Sequence, residues 1–115
     1  MVRITELLSF LGIGKKKPSI EQAKLFLAGC SDDKVFFVNN GMTIKSLYEL
    51  RDALVTMSDD TYNFHANEEK NDFSNWVEEV HKDADLAKRL QKAKNRGEAF
   101  KFVLERLNYL EKIVK

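Results

Sequence analysis

The residues with the means to do chemistry crowd into the middle of this chain, where His65, Asn67, Asn71, Asp72 and Asn75 form its densest polar cluster. A histidine near an aspartate could serve as an oriented general base, but such a base needs a nucleophile or a second acid within reach, and the spacing signals neither. Asn and Asp are also the residues that start helices, because their side-chain oxygens accept from backbone N–H groups that lack a partner in the first turn. The cluster is therefore expected to cap helices, with His65 orienting one of the caps. A metal site would have to recruit His65, Asp59, Asp60, Glu68 or Asp72, whose spacing fits no zinc pattern, and an EF-hand begun at Asp59 would place Lys70 where a glutamate is required. His81 is expected near a helix C-terminus, as a favourable partial positive charge. Gly12-x-Gly14-Lys15 lacks the remaining residues of a phosphate loop, and Glu78, Glu79, Asp83 and Asp85 read as a solvated acidic face. No catalytic residue, metal ligand or cofactor-binding residue is expected.

Composition narrows the class. With 43% hydrophobic and 32% charged residues in 115, the chain can bury enough apolar surface to fold as one domain. Cys30 is the only cysteine, which excludes an internal disulfide and a multi-cysteine zinc site and suits a reducing compartment. No run approaches the roughly 20 apolar residues of a membrane span, and the first residues lack a small-residue cleavage site. A cytoplasmic protein is the expectation. The net charge of +1 conceals an asymmetry: residues 88–115 hold nine basic and three acidic side chains, whereas residues 25–87 hold five basic and thirteen acidic. The two halves can pair, or one can face a partner.

The chain that carries these groups is expected to be mainly helical. Ile4, Leu7, Leu8 and Leu11 recur at helical spacing before Gly12 and Gly14, and Lys15, Lys16 and Lys17 lead to Pro18, the only proline. Residues 1–18 therefore read as an amphipathic helix with a lysine-rich linker, and residues 19–115 as a single mainly helical domain. Capping-box pairs at Ser19/Gln22, Ser46/Glu49 and Asn95/Glu98 mark helix starts, as do Ser58 or Asp59, Asn71 or Asp72, and Asp83. Between the helices begun at Ser19 and Ser46, Val35 to Val38, the turn Asn39-Asn40-Gly41 and Met42 to Ile44 predict one short β-hairpin. Phe36, Phe37, Phe73 and Trp76 are expected in the core rather than in a ligand-binding patch.

From Phe37 to about Lys94 the sequence resembles a family of small uncharacterised prokaryotic domains found in archaea and bacteria. Gly41, Ser46-Leu47, Glu49-Leu50 and Met57-Ser58-Asp59 carry the likeness first. His65-x-Asn67, then Asn71-Asp72-Phe73-x-Asn75-Trp76-Val77, and finally Asp83 with Leu86-Ala87 continue it. Ala66 stands where a valine is usual and Lys82 where a glycine often precedes the aspartate. The resemblance implies a domain and a prokaryotic source, and no activity.

The last helix suggests how the chain could meet partners. Phe100, Val103, Leu107, Leu110 and Val114 form one seam, while Phe102, Tyr109 and Ile113 fall on the opposite side. The second face is expected to be an interface, covered by the helix of residues 4–11 or by the same helix of a second copy in a homodimer. The reading preferred from sequence is a non-enzymatic interaction or scaffold module that self-associates, its protein partner unknown. The alternatives are a nucleic-acid-binding protein using Lys88, Arg89, Lys92, Lys94 and Arg96, and a peripheral adaptor at the inner face of a membrane through Ile4, Leu7, Leu8, Leu11 and Lys15 to Lys17. With a pI near 7.8 and no reader motif, duplex DNA binding is not expected at physiological salt.

Overall fold

Among the described residues, each α-helix begins where a side-chain oxygen accepts from a backbone N–H three residues ahead. A computed structural model describes residues 17–115; residues 1–16, with the expected helix of Ile4, Leu7, Leu8 and Leu11 and the linker residues Lys15 and Lys16, lie outside the described residues. Ser19 caps α1 (Ile20–Leu27), Ser46 caps α2 (Leu47–Thr56) and Ser58 caps α3 (Asp59–His65). Asn71 caps α4 (Asp72–Trp76), Asp83 caps α5 (Ala84–Lys92) and Asn95 caps α6 (Arg96–Val114). Each such cap contributes about 1 kcal/mol. The Ser19/Gln22 box is complete. At the other two expected boxes, Glu49 and Glu98 reach one residue further back, accepting from the N–H groups of Lys45 at 2.7 Å and Lys94 at 2.8 Å.

The domain is mainly α with one short hairpin. β1 (Phe36–Phe37) pairs antiparallel with β2 (Thr43–Ile44), Phe36 opposite Ile44 and Phe37 opposite Thr43. Gly41 turns the chain with a φ of 94°, where a Cβ would be strained. Strand alternation sends Phe36 and Ile44 inward and leaves Phe37 72% exposed. Phe37 is thus the exception among the four aromatics expected in the core. So short a hairpin is not stable alone, and Trp76 ties it down by donating its indole N–H to the Lys34 carbonyl at 2.8 Å.

α2 and α1 both pack along α6. Leu47, Leu50 and Leu54 of α2 and Val103, Leu107 and Leu110 of α6 are fully buried, each worth about 1.5–3 kcal/mol of burial. On the second face of α6 the three residues expected at an interface differ in exposure. Ile113 is itself buried at 9% exposure, Phe102 is half-buried beneath the Arg89 guanidinium at 4.4 Å, and only Tyr109 is exposed. α1 packs along α6, and its Phe26 and Leu27 lie against the core.

The helix begun at Asn71 does not stay α-helical. Past Trp76 it widens into a π-helical segment, Val77–His81, which turns Val77 and His81 inward and keeps Glu78 and Glu79 outside. It ends at Lys82, whose φ of 63° and ψ of 17° are left-handed. A side chain there costs about 1–2 kcal/mol, partly offset because glycine has more freedom to lose on folding. Lys82→Gly is expected to raise stability by about 0.5–1 kcal/mol in urea unfolding; an unchanged midpoint would show that the conformation carries no strain.

One residue on, the expected solvated acidic face breaks. Asp83 is 1% exposed: its Oδ1 accepts from the Leu86 N–H at 3.1 Å, and both its oxygens accept from Arg106, at 2.8 and 2.9 Å. Sequence spacing could not separate Asp83 from its exposed neighbours, because the partner lies 23 residues away on another helix.

Candidate functional site

The polar cluster divides into two groups facing different ways. His65, at the end of α3, is buried among Phe36, Phe64 and Phe73, with ring centroids at 5.0, 4.9 and 5.4 Å. The backbone N–H of Asn39, in the hairpin turn, donates to His65 Nε2 at 3.0 Å. A backbone amide can only donate, so Nε2 is the acceptor and Nδ1 carries the proton, which it gives to Asp72 Oδ2 at 3.0 Å. Burial works against the Asp72 carboxylate, but hydrogen bonds from Lys70, at 2.9 Å, and His65 outweigh it and hold its pKa below the ordinary value.

An imidazole held by a carboxylate at Nδ1 has the orientation of a catalytic histidine. Here the nitrogen that would take a proton is occupied by the hairpin backbone, so the pair fixes the turn onto α3 and α4. His65→Ala is expected to cost about 1–2 kcal/mol through the lost hydrogen bond and packing, and an unfolding midpoint equal to wild type would remove this role. Asn71 is equally committed. Its Oδ1 accepts from the Ser74 N–H, and its Nδ2 donates to the Leu90 carbonyl at 3.0 Å, joining α4 to α5 beside the Ser74 hydroxyl's bond to Ala87. Asn67 closes its own turn, accepting from the Glu69 N–H and donating to the Asn63 carbonyl.

The second group surrounds a cleft of about 690 Å³ between α3, the turn at 67–70, α4 and the end of α5. Asn63, Asn67, Asn71 and Asn75 all line it, together with Tyr62, Gln91 and Lys94; His65 and Asp72 do not. Among the described residues, the side chains of Asn63, Asn75 and Gln91 have no hydrogen-bond partner, and neither has the Tyr62 hydroxyl. Tyr62 is only 4% exposed and stacks on Phe73 at 5.6 Å and 13°. Its burial, with Glu98 adding to the effect, pushes the phenol pKa above its ordinary value, so the hydroxyl stays protonated and can both donate and accept. Tyr62, Asn63 and Gln91 were not singled out by the sequence reading. A signal was present in the asparagines at every fourth position from 63 to 75. It is no helical stripe, because the chain reverses between α3 and α4.

His81 ends the π-helical segment, at the helix C-terminus expected for it, but it is not a charged cap at the surface. It is buried edge-on to Trp76 at 4.6 Å, and its Nε2 has no hydrogen-bond partner. Burial lowers its pKa from 6.5, only partly opposed by the Asp83 carboxylate. As pH falls below the unfolded value, the unfolded chain takes up a proton that the folded chain refuses, so stability drops until the folded pKa is passed. Urea midpoints at pH 7.5 and 5.5 should therefore separate more for wild type than for His81→Phe; equal separations would sink this linkage.

The basic stretch is partly occupied. Arg89 pairs with Glu105 at 2.9 Å, and Arg96 binds Asp59 at 2.9 Å and the Leu54 carbonyl at 2.8 Å. Arg96 and Arg106 thus join the basic end of the chain to its acidic middle. Among the described residues no three His, Cys, Asp or Glu side chains group to hold a metal ion, and no helix is long and apolar enough to cross a membrane. The chain matches no known protein family, no curated protein and no solved structure with which it was compared.

Proposed function

We propose that this chain is a non-enzymatic interaction module whose recognition site is the cleft between α3, α4 and the end of α5. The observation that carries the reading is the convergence of uncommitted hydrogen-bonding groups there: three side-chain amides and the hydroxyl of Tyr62, whose ring is buried. Concave sites with a few convergent polar groups on rigid elements are where small ligands bind. The nearby His65 has both ring nitrogens committed to structure, which favours binding over proton transfer. The test is an NMR titration of the full chain with a panel of polar fragments that includes amino acids, sugars and nucleosides. Hits are expected to shift the amides of Tyr62, Asn75 and Gln91, and Asn75→Trp, at an exposed position, should abolish those shifts while the chain stays folded. Hits scattered over the surface, or clustered elsewhere, would overturn the assignment.

Self-association is a second reading, favoured by Ile20, Leu25 and Tyr109, which leave apolar surface exposed on α1 and α6. Because Ile113 is buried, the informative substitution pair is Leu25→Glu with Tyr109→Glu. A homodimer at micromolar concentration should be weakened by that pair, and a strict monomer in sedimentation would remove the reading.

A further inference from the structure

The cleft has a charge layout as well as a shape. Resting on the reading of the cleft as the recognition site, we propose that it takes a small zwitterion with a free ammonium and a free carboxylate: an α-amino acid or a short peptide. Glu68 and Glu69 line it from the turn between α3 and α4, and Lys94 lines it from the connection between α5 and α6. Neither Glu68, Glu69 nor Lys94 forms a side-chain ion pair with a described residue. The other lining cation, Lys70, is already paired with Asp72 at 2.9 Å.

Carboxylates on one connection and an ammonium on another suit a ligand of opposite charge at its two ends. The amides of Asn63, Asn75 and Gln91, which line the same cleft, each offer two donors and an acceptor, matching the N–H and C=O of peptide groups. The Tyr62 hydroxyl, uncommitted within the described chain, supplies one more site that can donate or accept. A phosphate-bearing ligand fits poorly, since two carboxylates would oppose it and a single uncommitted lysine would attract it. An uncharged sugar would leave all three ions unused. The volume of about 690 Å³ lies within the range of small-ligand sites and exceeds what one amino acid fills.

The test is an NMR titration of the isotope-labelled full chain with triglycine, N-acetyl-triglycine, triglycine amide, the doubly blocked peptide and glycine. Triglycine is expected to shift the amides of Asn75, Gln91 and Lys94. The charges are exposed and screened, so blocking either end should weaken binding only about threefold to fivefold. Lys94→Ala should make the acid and the amide bind alike, and Glu68→Gln with Glu69→Gln should do the same for the free and acetylated amines. Tighter binding of triglycine than of glycine assigns the site to peptides, and equal binding assigns it to a free amino acid. Doubly blocked peptide binding as well as triglycine at the same residues would overturn the zwitterion and leave the cleft as a recognition site. Peptides that shift nothing while other polar fragments shift the cleft would likewise overturn the zwitterion alone. If neither peptides nor fragments reach the cleft, the underlying assignment of the site falls with it.

Discussion

Replacing Arg106 by alanine is expected to destabilise the chain by about 3–5 kcal/mol, the cost of leaving a buried carboxylate without its partner. Asp83 has no access to water that could compensate, and Arg106 satisfies both of its oxygens through a two-pronged contact from α6. The guanidinium also lies over the rings of Phe26, at 5.9 Å, and Tyr109, at 5.5 Å, so the same substitution loosens α1 from α6. The double variant Arg106→Met with Asp83→Asn should recover part of the loss, because no charge is then left buried, although the Asn amide donor lacks the partner the carboxylate had. Asn still accepts from the Leu86 N–H as the α5 cap, and Met refills the space of the arginine stem. Urea unfolding of the two single variants and the double completes the cycle. A loss below about 1 kcal/mol for Arg106→Ala would mean that the pair behaves like an exposed ion pair, contrary to its burial.

Phe73→Ala is expected to cost a similar amount, about 3–5 kcal/mol, by opening a cavity at the centre of the aromatic cluster. The Phe73 ring is buried and stacks on Phe36 at 5.0 Å and on Tyr62 at 5.6 Å, with His65 against it at 5.4 Å. It is the common neighbour of the group that pins the hairpin turn and the group that faces the cleft. Phe73→Leu should retain much of the stability, because the cavity is smaller, and it should still loosen the Tyr62 ring. Calorimetry of both variants checks the stability order, and the fragment titration on Phe73→Leu checks the link to the cleft. Unchanged stability in Phe73→Ala would show that the neighbouring rings collapse into the space without cost.

Local elements were legible because their causes are local. A serine or asparagine that caps a helix bonds three residues ahead, so Ser19, Ser46, Asn71 and Asn95 announce helix starts by type and spacing alone. The Asn39-Asn40-Gly41 turn announces the hairpin for the same reason: only glycine takes the left-handed conformation of Gly41 freely. Apolar repeats at three and four residues mark the inward faces of α2 and α6. The π-helical segment was not legible, since its apolar spacing near Val77 and Val80 also fits an α-helix. Lys82 hides the helix end because a lysine carries no sign of the left-handed conformation it adopts.

The candidate site was legible only as a concentration of polar residues. His65, Asn67, Asn71, Asp72 and Asn75 could be recognised as a cluster, but its division between the hairpin anchor and the cleft depends on partners far away in the chain. Asn39 lies 26 residues from His65, and Leu90 lies 19 from Asn71. Asp83 and Asp85 are alike in type and setting along the chain, yet one is sealed against Arg106 and the other remains part-exposed. Helix starts, the hairpin turn and the stripes that seek the interior follow from the order of residues, because those outcomes depend on neighbours a few residues away. The tertiary structure alone decided which carboxylate is buried, which histidine nitrogen is occupied and which amides face a cleft, because burial and hydrogen-bond partners are set by the helices that come to lie alongside.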